Sequence, residues 1–348
     1  MCDYFNRICV FRITMKKLFV FISLIGFFAC KEKKNIPDVS KIAVNLSVQR
    51  FEQNFFKLDT LNPEPSLDSL QKKYPSFIND FLYNILGSVP QKDSVLKTVV
   101  FFKKEYQPVY NESQKQYNSI AEVEKQIKQS FQFVRYYFPE YKLPASVITF
   151  IGPFDGTANA LTSSGMAVGL QSYLGKDYPA YQSVYISQVY PAYKSRTFEA
   201  PYIAVNCVKN IIDDIYPDKT VGRPLIERMI ETGKRLYLLD AFMPYTADTL
   251  KTGYTKNQYE DCLSNEKNIW AFFVQNNLLY ETEPSQISIY VTEGPGTPEL
   301  SNTAPGFIGQ FVGFQIVKEW MKKNSSKNLQ DLLKTPAQQI FNEAKYKP

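Results

Sequence analysis

Residues 305–317 of the sequence run PGFIGQFVGFQIV, a segment in which glycines recur at helical spacing. Gly309 and Gly313 lie one turn apart on a helix, so a second backbone can approach closely on that face. A glycine-rich phosphate loop is the alternative interpretation. Pro295 and Pro298 upstream, and the lack of a catalytic lysine, argue against it. We therefore predict that Gly309 and Gly313 are positions of close helix packing.

A second decisive segment precedes it and covers residues 201–214. Proline at position 201 suits the first turn of a helix, and the following residues are apolar around most of the helix circumference. This pattern predicts a central core helix. Asn206 and Asn210 are four residues apart on it and share one face.

A third helix is predicted for residues 224–240. Its apolar residues recur at the spacing of one helix face, and charged residues occupy the other face. Glu231 and Arg235 are four residues apart on the charged face, which predicts an exposed ion pair worth a few tenths of a kcal/mol at most.

The remaining pattern predicts a mostly helical α+β fold with a small sheet. Alternating apolar residues at 42–48 suit a strand, and β-branched or apolar runs at 147–151 and 166–170 suit two more. Residues 119–137 have helical spacing. Without repeats or a clear linker, residues 41–348 are predicted to form a single globular domain.

The N-terminus has the anatomy of an exported lipoprotein. A basic pair at residues 16–17 precedes an apolar run at 18–29, which is too short to span a bilayer and typical of a secretory signal peptide. Cys30 follows, as at the end of a bacterial lipobox. We predict a leader and signal peptide over 1–29 with the true start at Met15, a lipid such as palmitate on Cys30, and a lipidated tether over 30–40. An uncleaved anchor, or cleavage without lipid, is the alternative.

The chain contains no histidine. This absence removes the Ser-His-Asp and Cys-His routes to an activated nucleophile and almost every ordinary catalytic zinc site. The sequence also lacks a Cys-x-x-Cys motif and a phosphate-binding P-loop. We therefore expect no metal, no cofactor and no catalytic residue of these kinds, although chemistry by carboxylates alone stays open.

Charge and cysteines add two limits. Lys and Arg exceed Asp and Glu by 6, part of which lies in the leader, so the chain lacks the strong basic excess expected of a nucleic-acid partner. Cys207 and Cys262 belong to the domain; they either pair on the oxidising side of the membrane or stay as two buried thiols.

Several segments together resemble the gliding-motility lipoprotein GldB family of the Bacteroidetes. They follow the family order along most of the chain: YYFP (136–139), YLG (173–175), IETGKRLYLLD (230–240), GYTKNQ (253–258), NEKNIW (265–270), LLY (278–280), PGFIGQ (305–310), GFQIV (313–317) and AKYKP (344–348). The sequence departs from the family pattern at Thr232, where a second acidic or polar residue is usual. It departs again at Phe307, where arginine is common.

The resemblance implies a lipoprotein of the cell envelope that takes part in gliding motility and in the associated secretion machinery. Its expected partners are the membrane, through the lipid on Cys30, and other proteins of that machinery. The basic residues that follow Cys30 favour the periplasmic side of the membrane.

The sequence is also similar, more distantly, to zinc-peptidase-like domains. In those domains one helix bears His-Glu-x-x-His and a later helix bears Glu-Gly. Asn206, Asn210 and Glu231 would then be the remnant of a lost metal site in a degenerate zincin-like arrangement. Neither Cys207 nor Lys209 supplies the general base of such a site.

Two function classes follow. The first is a non-enzymatic envelope protein that supports gliding by binding other proteins. The second is a hydrolase that acts on envelope glycan through paired carboxylates, for which Asp213, Asp214, Glu227 and Glu231 are the candidates.

Overall fold

Helices of different lengths surround one small sheet in the computed structural model, which describes residues 36–348. Residues 39–348 form one compact unit. The predictions for the leader, the signal peptide and Cys30 lie outside the described residues. The predominantly helical α+β class predicted from the sequence is confirmed.

The elements before residue 200 are, in chain order, β1 (Ser47–Arg50), α1 (Phe51–Phe55), α2 (Pro63–Lys73), α3 (Phe77–Asn79) with a π-helical turn (Asp80–Ile85), α4 (Lys92–Gln116), α5 (Ala121–Tyr137), β2 (Ser146–Phe150), β3 (Asn159–Thr162), β4 (Gly165–Gly169), α6 (Val184–Val189) and α7 (Ala192–Ser195). The later elements are α8 (Tyr202–Ile215), α9 (Leu225–Phe242), α10 (Asp248–Thr252), α11 (Lys256–Ser264), α12 (Glu266–Gln275), α13 (Pro284–Val291), α14 (Ile308–Lys323), α15 (Leu329–Lys334) and α16 (Ala337–Ala344). Short 3-10 turns cover Leu170–Ser172, Pro179–Gln182 and Leu278–Tyr280.

The sheet has four strands in the order β1-β2-β4-β3. The first three are parallel to one another, and β3 pairs antiparallel with β4 at the edge. All residues of β2 and β4 are buried, which explains why the two strands are largely apolar. The strands predicted near 147–151 and 166–170 are therefore confirmed, each shifted by one residue.

The strand predicted from residue 42 is wrong in its start. Pairing begins only at Ser47, whose partner in β2 is Ser146. Proline at position 144 lies just before β2 and lacks a backbone N–H, so the neighbouring strand cannot extend further back. Strand β3 was not anticipated, because its four residues, NALT, show no apolar alternation.

Two hydrophobic cores share helix α9. The first core packs the sheet and α8 against the C-terminal half of α9, with Leu238 and Leu239. The second core joins α12, α13, α14 and α16 to the N-terminal half of α9, with Ile226 and Met229. Helix α9 is thus buried along most of its length. Among the described residues, no helix combines the length and apolar character needed to cross a membrane.

Helices α9 and α14 approach each other through glycines. A Cβ atom on Gly313 would lie 1.6 Å from the carbonyl oxygen of Met229, and one on Gly233 would lie 2.2 Å from the carbonyl oxygen of Gly313. A Cβ atom on Gly309 would lie 2.6 Å from the carbonyl oxygen of Tyr290. Only glycine permits backbones this close, so Gly233 and Gly313 determine how α9 and α14 cross, and Gly309 determines how closely α13 approaches α14.

Gly313→Ala should destabilise the domain strongly. The new methyl group has no space against the Met229 carbonyl, so the helices must separate. We expect the free energy of unfolding to fall by about 3 kcal/mol, despite the better helix propensity of alanine. Urea unfolding followed by circular dichroism measures this loss. Gly294→Ala is the control, because no heavy atom lies within 4 Å of its Cβ position. Equal urea midpoints for the two variants would contradict the close packing.

Candidate functional site

A cleft opens between helix α8, helix α9 and the loop of residues 292–307. It has two adjoining lobes of about 270 Å³ each, whose walls share Lys209, Glu293, Phe307 and Gln310. The charged lobe is also lined by Asp213, Asp218, Arg228, Glu231, Arg235 and Lys251. The aromatic lobe is also lined by Tyr190, Tyr193, Phe198 and Tyr254.

Helix α8 places Lys209 in the cleft. Most faces of this helix are buried in the first core, where Cys207, Val208 and Ile211 are fully inaccessible. The predicted central core helix is thereby confirmed. Lys209 is the basic side chain of this mainly apolar helix, and it lines both lobes. Lys209 therefore lies on a part of the α8 surface that the first core does not cover.

The asparagines of α8 take part in hydrogen bonds away from the charged lobe. Asn206 Nδ2 donates to the hydroxyl of Tyr173 at 2.9 Å, and that hydroxyl donates to Asn159 Oδ1 at 2.6 Å. Asn159 Nδ2 in turn donates to Cys207 Sγ at 3.3 Å. These contacts tie α8 to β3. Cys207 and Cys262 are both buried free thiols.

Asn210 and Glu231 belong to two other networks. Asn210 Nδ2 lies 3.9 Å from Met166 Sδ in β4, and Glu231 accepts a hydrogen bond from Tyr216. Asn206, Asn210 and Glu231 therefore each bond to different partners. In the described part of the chain, no group of three or more His, Cys, Asp or Glu side chains is placed to hold a metal ion. The descent of these three positions from a metal site stays a prediction.

Glu231 is not the exposed partner of Arg235 that the sequence suggested. Its side chain is buried and accepts hydrogen bonds from Lys234 Nζ at 2.9 Å and from the Tyr216 hydroxyl at 2.5 Å. Lys234 also donates to the carbonyl oxygen of Thr335 at 2.8 Å. Arg235 instead pairs with Asp213. The prediction failed because α9 is covered by packing on two sides, which draws the Glu231 carboxylate into the interior.

The other candidate carboxylates of the hydrolase alternative also have partners. Asp213 pairs with Arg235, and Asp214 Oδ2 accepts a hydrogen bond from the Tyr141 hydroxyl at 2.7 Å. Glu227 lies 3.6 Å from the guanidinium of Arg223. All four candidates thus carry a cationic or phenolic partner, and Asp214 and Glu227 do not line the cleft.

Some cations of the cleft, unlike these carboxylates, have polar atoms without a hydrogen-bond or ion-pair partner among the described residues. Among the described residues, no hydrogen bond or ion pair reaches Lys209 Nζ, and Arg228 Nε is buried without a partner. Burial lowers the pKa of Lys209 below its usual 10.5, while the charges of Glu293 and Asp213 act in the opposite direction. Arg196 beside the aromatic lobe donates to the Gly253 carbonyl oxygen at 2.7 Å but leaves its Nε without a partner.

The junction of the lobes contains a strained residue. Phe307 has a left-handed backbone with φ of 59°, an unfavourable conformation for a bulky side chain. Hydrogen bonds hold it there: its carbonyl oxygen accepts from the Tyr254 hydroxyl at 2.9 Å and from the Gln310 N–H at 3.1 Å. Gln310 Nε2 also donates to the Thr252 carbonyl oxygen at 3.0 Å. Retained strain of this kind is typical of functional positions.

The sequence did not predict that cations line a cleft at this position. Lys209 was considered only as a failed general base, and Arg228, Arg196 and Glu293 were not considered. One signal was present, since Lys209 is the only basic residue within the core helix α8.

Comparison with known proteins identifies the family. The family model described as Gliding motility protein GldB, a lipoprotein family, matches residues 32–348. No curated protein and no solved structure gives a significant match. The chain therefore belongs to the GldB family.

Glu231→Gln should destabilise the domain, because it leaves the Lys234 ammonium buried without a counter-charge. The side chain of Lys234 is 1% exposed and that of Glu231 is 9% exposed. Breaking one partner of a buried pair costs about 3–5 kcal/mol. Glu227→Gln is the matched control on the same helix; its pair with Arg223 is partly exposed, so the expected loss is below about 1 kcal/mol. Similar losses in both variants would contradict the role assigned to the buried pair.

Lys209→Met should stabilise the protein in a pH-dependent way. The folded state lowers the pKa of Lys209, so the charged side chain destabilises the folded protein in full at every pH below that lowered pKa. The destabilisation shrinks as the pH rises from the lowered pKa to the unfolded value of 10.5. We expect a gain in the free energy of unfolding on the order of 1 kcal/mol at neutral pH, shrinking as the pH approaches 10.5. Thermal unfolding at several pH values measures the gain. The exposed Lys267→Met is the control and should show neither effect; a destabilised Lys209→Met would overturn the assignment of an unsatisfied charge.

Proposed function

We propose that this member of the GldB family supports gliding motility as a lipid-anchored, non-catalytic binding protein of the cell envelope. Within residues 36–348, no hydrogen bond or ion pair reaches Lys209 Nζ in the cleft, whereas the candidate catalytic carboxylates Asp213, Asp214, Glu227 and Glu231 all have partners. That distribution suits the binding of a ligand better than its chemical conversion.

Catalysis by carboxylates requires groups that are free to accept or donate a proton at the substrate. A glycosidase also needs two of them on either side of the scissile bond. Here Glu231 is held by Lys234 and Tyr216, and Asp213 is held by Arg235. The sequence offers no histidine as a substitute base. Hydrolysis of envelope glycan therefore remains the less favoured function.

The anchor in this proposal is a lipid on Cys30. The tether that follows Cys30 carries basic residues, which favours a domain on the periplasmic side, near the secretion machinery associated with gliding.

The motility role predicts the behaviour of three strains. A strain lacking the gene should fail to spread on agar, and the wild-type gene should restore spreading. Cys30→Ser should leave the membrane fraction and fail to restore spreading, because the anchor is lost. Lys31→Gln is the matched control: it changes the residue next to Cys30 but keeps the thiol, and it should change neither fractionation nor spreading.

Each of these expected results has an outcome that would contradict it. Normal spreading of the deletion strain would refute the motility role. A Cys30→Ser protein that stays in the membrane fraction would refute the lipid anchor. Hydrolysis of purified envelope glycan by the wild-type protein, lost in Glu231→Gln at a temperature where that variant stays folded, would favour the enzyme over the binding protein.

A further inference from the structure

Some charged side chains of the cleft have a partner and others do not. In the charged lobe, Arg235 neutralises Asp213, Lys234 neutralises Glu231, and Asp218 accepts a hydrogen bond from the Thr220 N–H at 2.9 Å. Lys251 in the same wall pairs with Asp240 and Asp248. In the described part of the chain, the charged groups on the helices of this lobe that no hydrogen bond or ion pair reaches are Lys209 Nζ on α8 and the Nε of Arg228 on α9.

An exposed carboxylate does not remove this imbalance. Glu293 lies on the rim and raises the pKa of Lys209 through its charge, but the two side chains form no ion pair within 4.0 Å. Water solvates Glu293, whereas the cleft walls partly enclose Lys209. Keeping a partly enclosed cation whose neighbouring carboxylates form no ion pair with it costs stability, which indicates that the charge serves an incoming anion.

The second lobe has a different chemistry. Tyr190, Tyr193, Phe198, Tyr254 and Phe307 give it an aromatic wall next to Lys209. Aromatic side chains offer large contact area with few rotatable bonds and are enriched where proteins bind other proteins. A ligand that fills both lobes therefore presents an anionic group to one and an apolar or aromatic group to the other.

The junction between the lobes is rigid. Phe307 is held by the hydrogen bonds of its carbonyl group to Tyr254 and Gln310, and Gln310 is fixed to Thr252. The two ends of the loop that precedes Phe307 lie close together. A Cβ atom on Gly306 would lie 2.2 Å from the Gly294 carbonyl oxygen. A preformed junction lowers the entropy cost of binding a flexible ligand.

We propose that this cleft binds an extended acidic segment of a partner polypeptide. A side-chain or terminal carboxylate of that segment pairs with Lys209 and reaches Arg228, and a neighbouring aromatic side chain packs against Phe307 and the tyrosines of the aromatic lobe. A charged lobe beside a lobe that combines aromatic rings with the basic side chains of Lys194 and Arg196 suits a peptide, which carries both kinds of side chain along one backbone. The inference rests on the proposed function, since it names the ligand class for a protein that acts by binding.

The test measures binding of two fluorescein-labelled peptides to the full chain in detergent by fluorescence anisotropy. One peptide alternates Glu and Phe, and the other alternates Gln and Phe. We expect the glutamate peptide to bind at least about tenfold more tightly, because a hydrogen bond to a charged group contributes about 1.5–3 kcal/mol. Its affinity should fall as salt is added.

Variants of the protein complete a double-mutant cycle. Lys209→Gln should weaken the glutamate peptide about tenfold or more and leave the glutamine peptide unchanged. Lys267→Gln, which removes the same charge from an exposed site outside the cleft, should leave both affinities unchanged. The thermal midpoint of Lys209→Gln should equal or exceed that of the wild type, so a loss of binding would not reflect misfolding.

Several results would overturn the inference. They are equal affinities for the two peptides, no binding of either, or an unchanged glutamate affinity in Lys209→Gln. Binding of phosphatidylglycerol vesicles that depends on Lys209, without binding of the glutamate peptide, would assign the cleft to a lipid headgroup instead. None of these results affects the motility role, which the deletion strain tests separately.

Discussion

The close approach of helices α9 and α14 is the constraint on which the rest of the structure depends. Gly233 and Gly313 remove the side chains that would otherwise hold the two backbones apart. The contact places the second core against α9, while the first core covers the C-terminal half of the same helix. The contact also determines the cleft, because α9 supplies Arg228 and Arg235, and the start of α14 supplies Gln310.

Burial on both sides of α9 explains why its charged side chains have partners inside the cores. Charged side chains on a helix inside two cores must find partners, and the Glu231–Lys234–Tyr216 network provides them. Where the helices part and the cleft begins, the same requirement is relaxed and cations stay unsatisfied. The polar interior thus serves stability, and the cations of the cleft stay open to the ligand proposed above.

Local patterns were enough to predict the helices near 119–137, 201–214 and 224–240 and the two buried strands, but they left open whether Cys207 and Cys262 pair. The glycine spacing of α14 was visible, but the sequence did not say which helix approaches it, because that partner is 80 residues away in the pair Gly233 and Gly313. The ion pair of Glu231 was misjudged because helical spacing reports a face of the helix and says nothing of what covers that face. Lys209 could be noticed as a cation in an apolar helix, whereas its lack of a partner follows only from the arrangement of α8, α9 and the loop at 292–307.

If the cleft supports gliding by binding an acidic segment, the positive charge of Lys209 is needed for motility. Colony spreading is measured for chromosomal Lys209→Arg and Lys209→Gln strains at equal protein levels. We expect the arginine strain to spread close to the wild type and the glutamine strain to fail. Equal spreading of both strains with the wild type would contradict it.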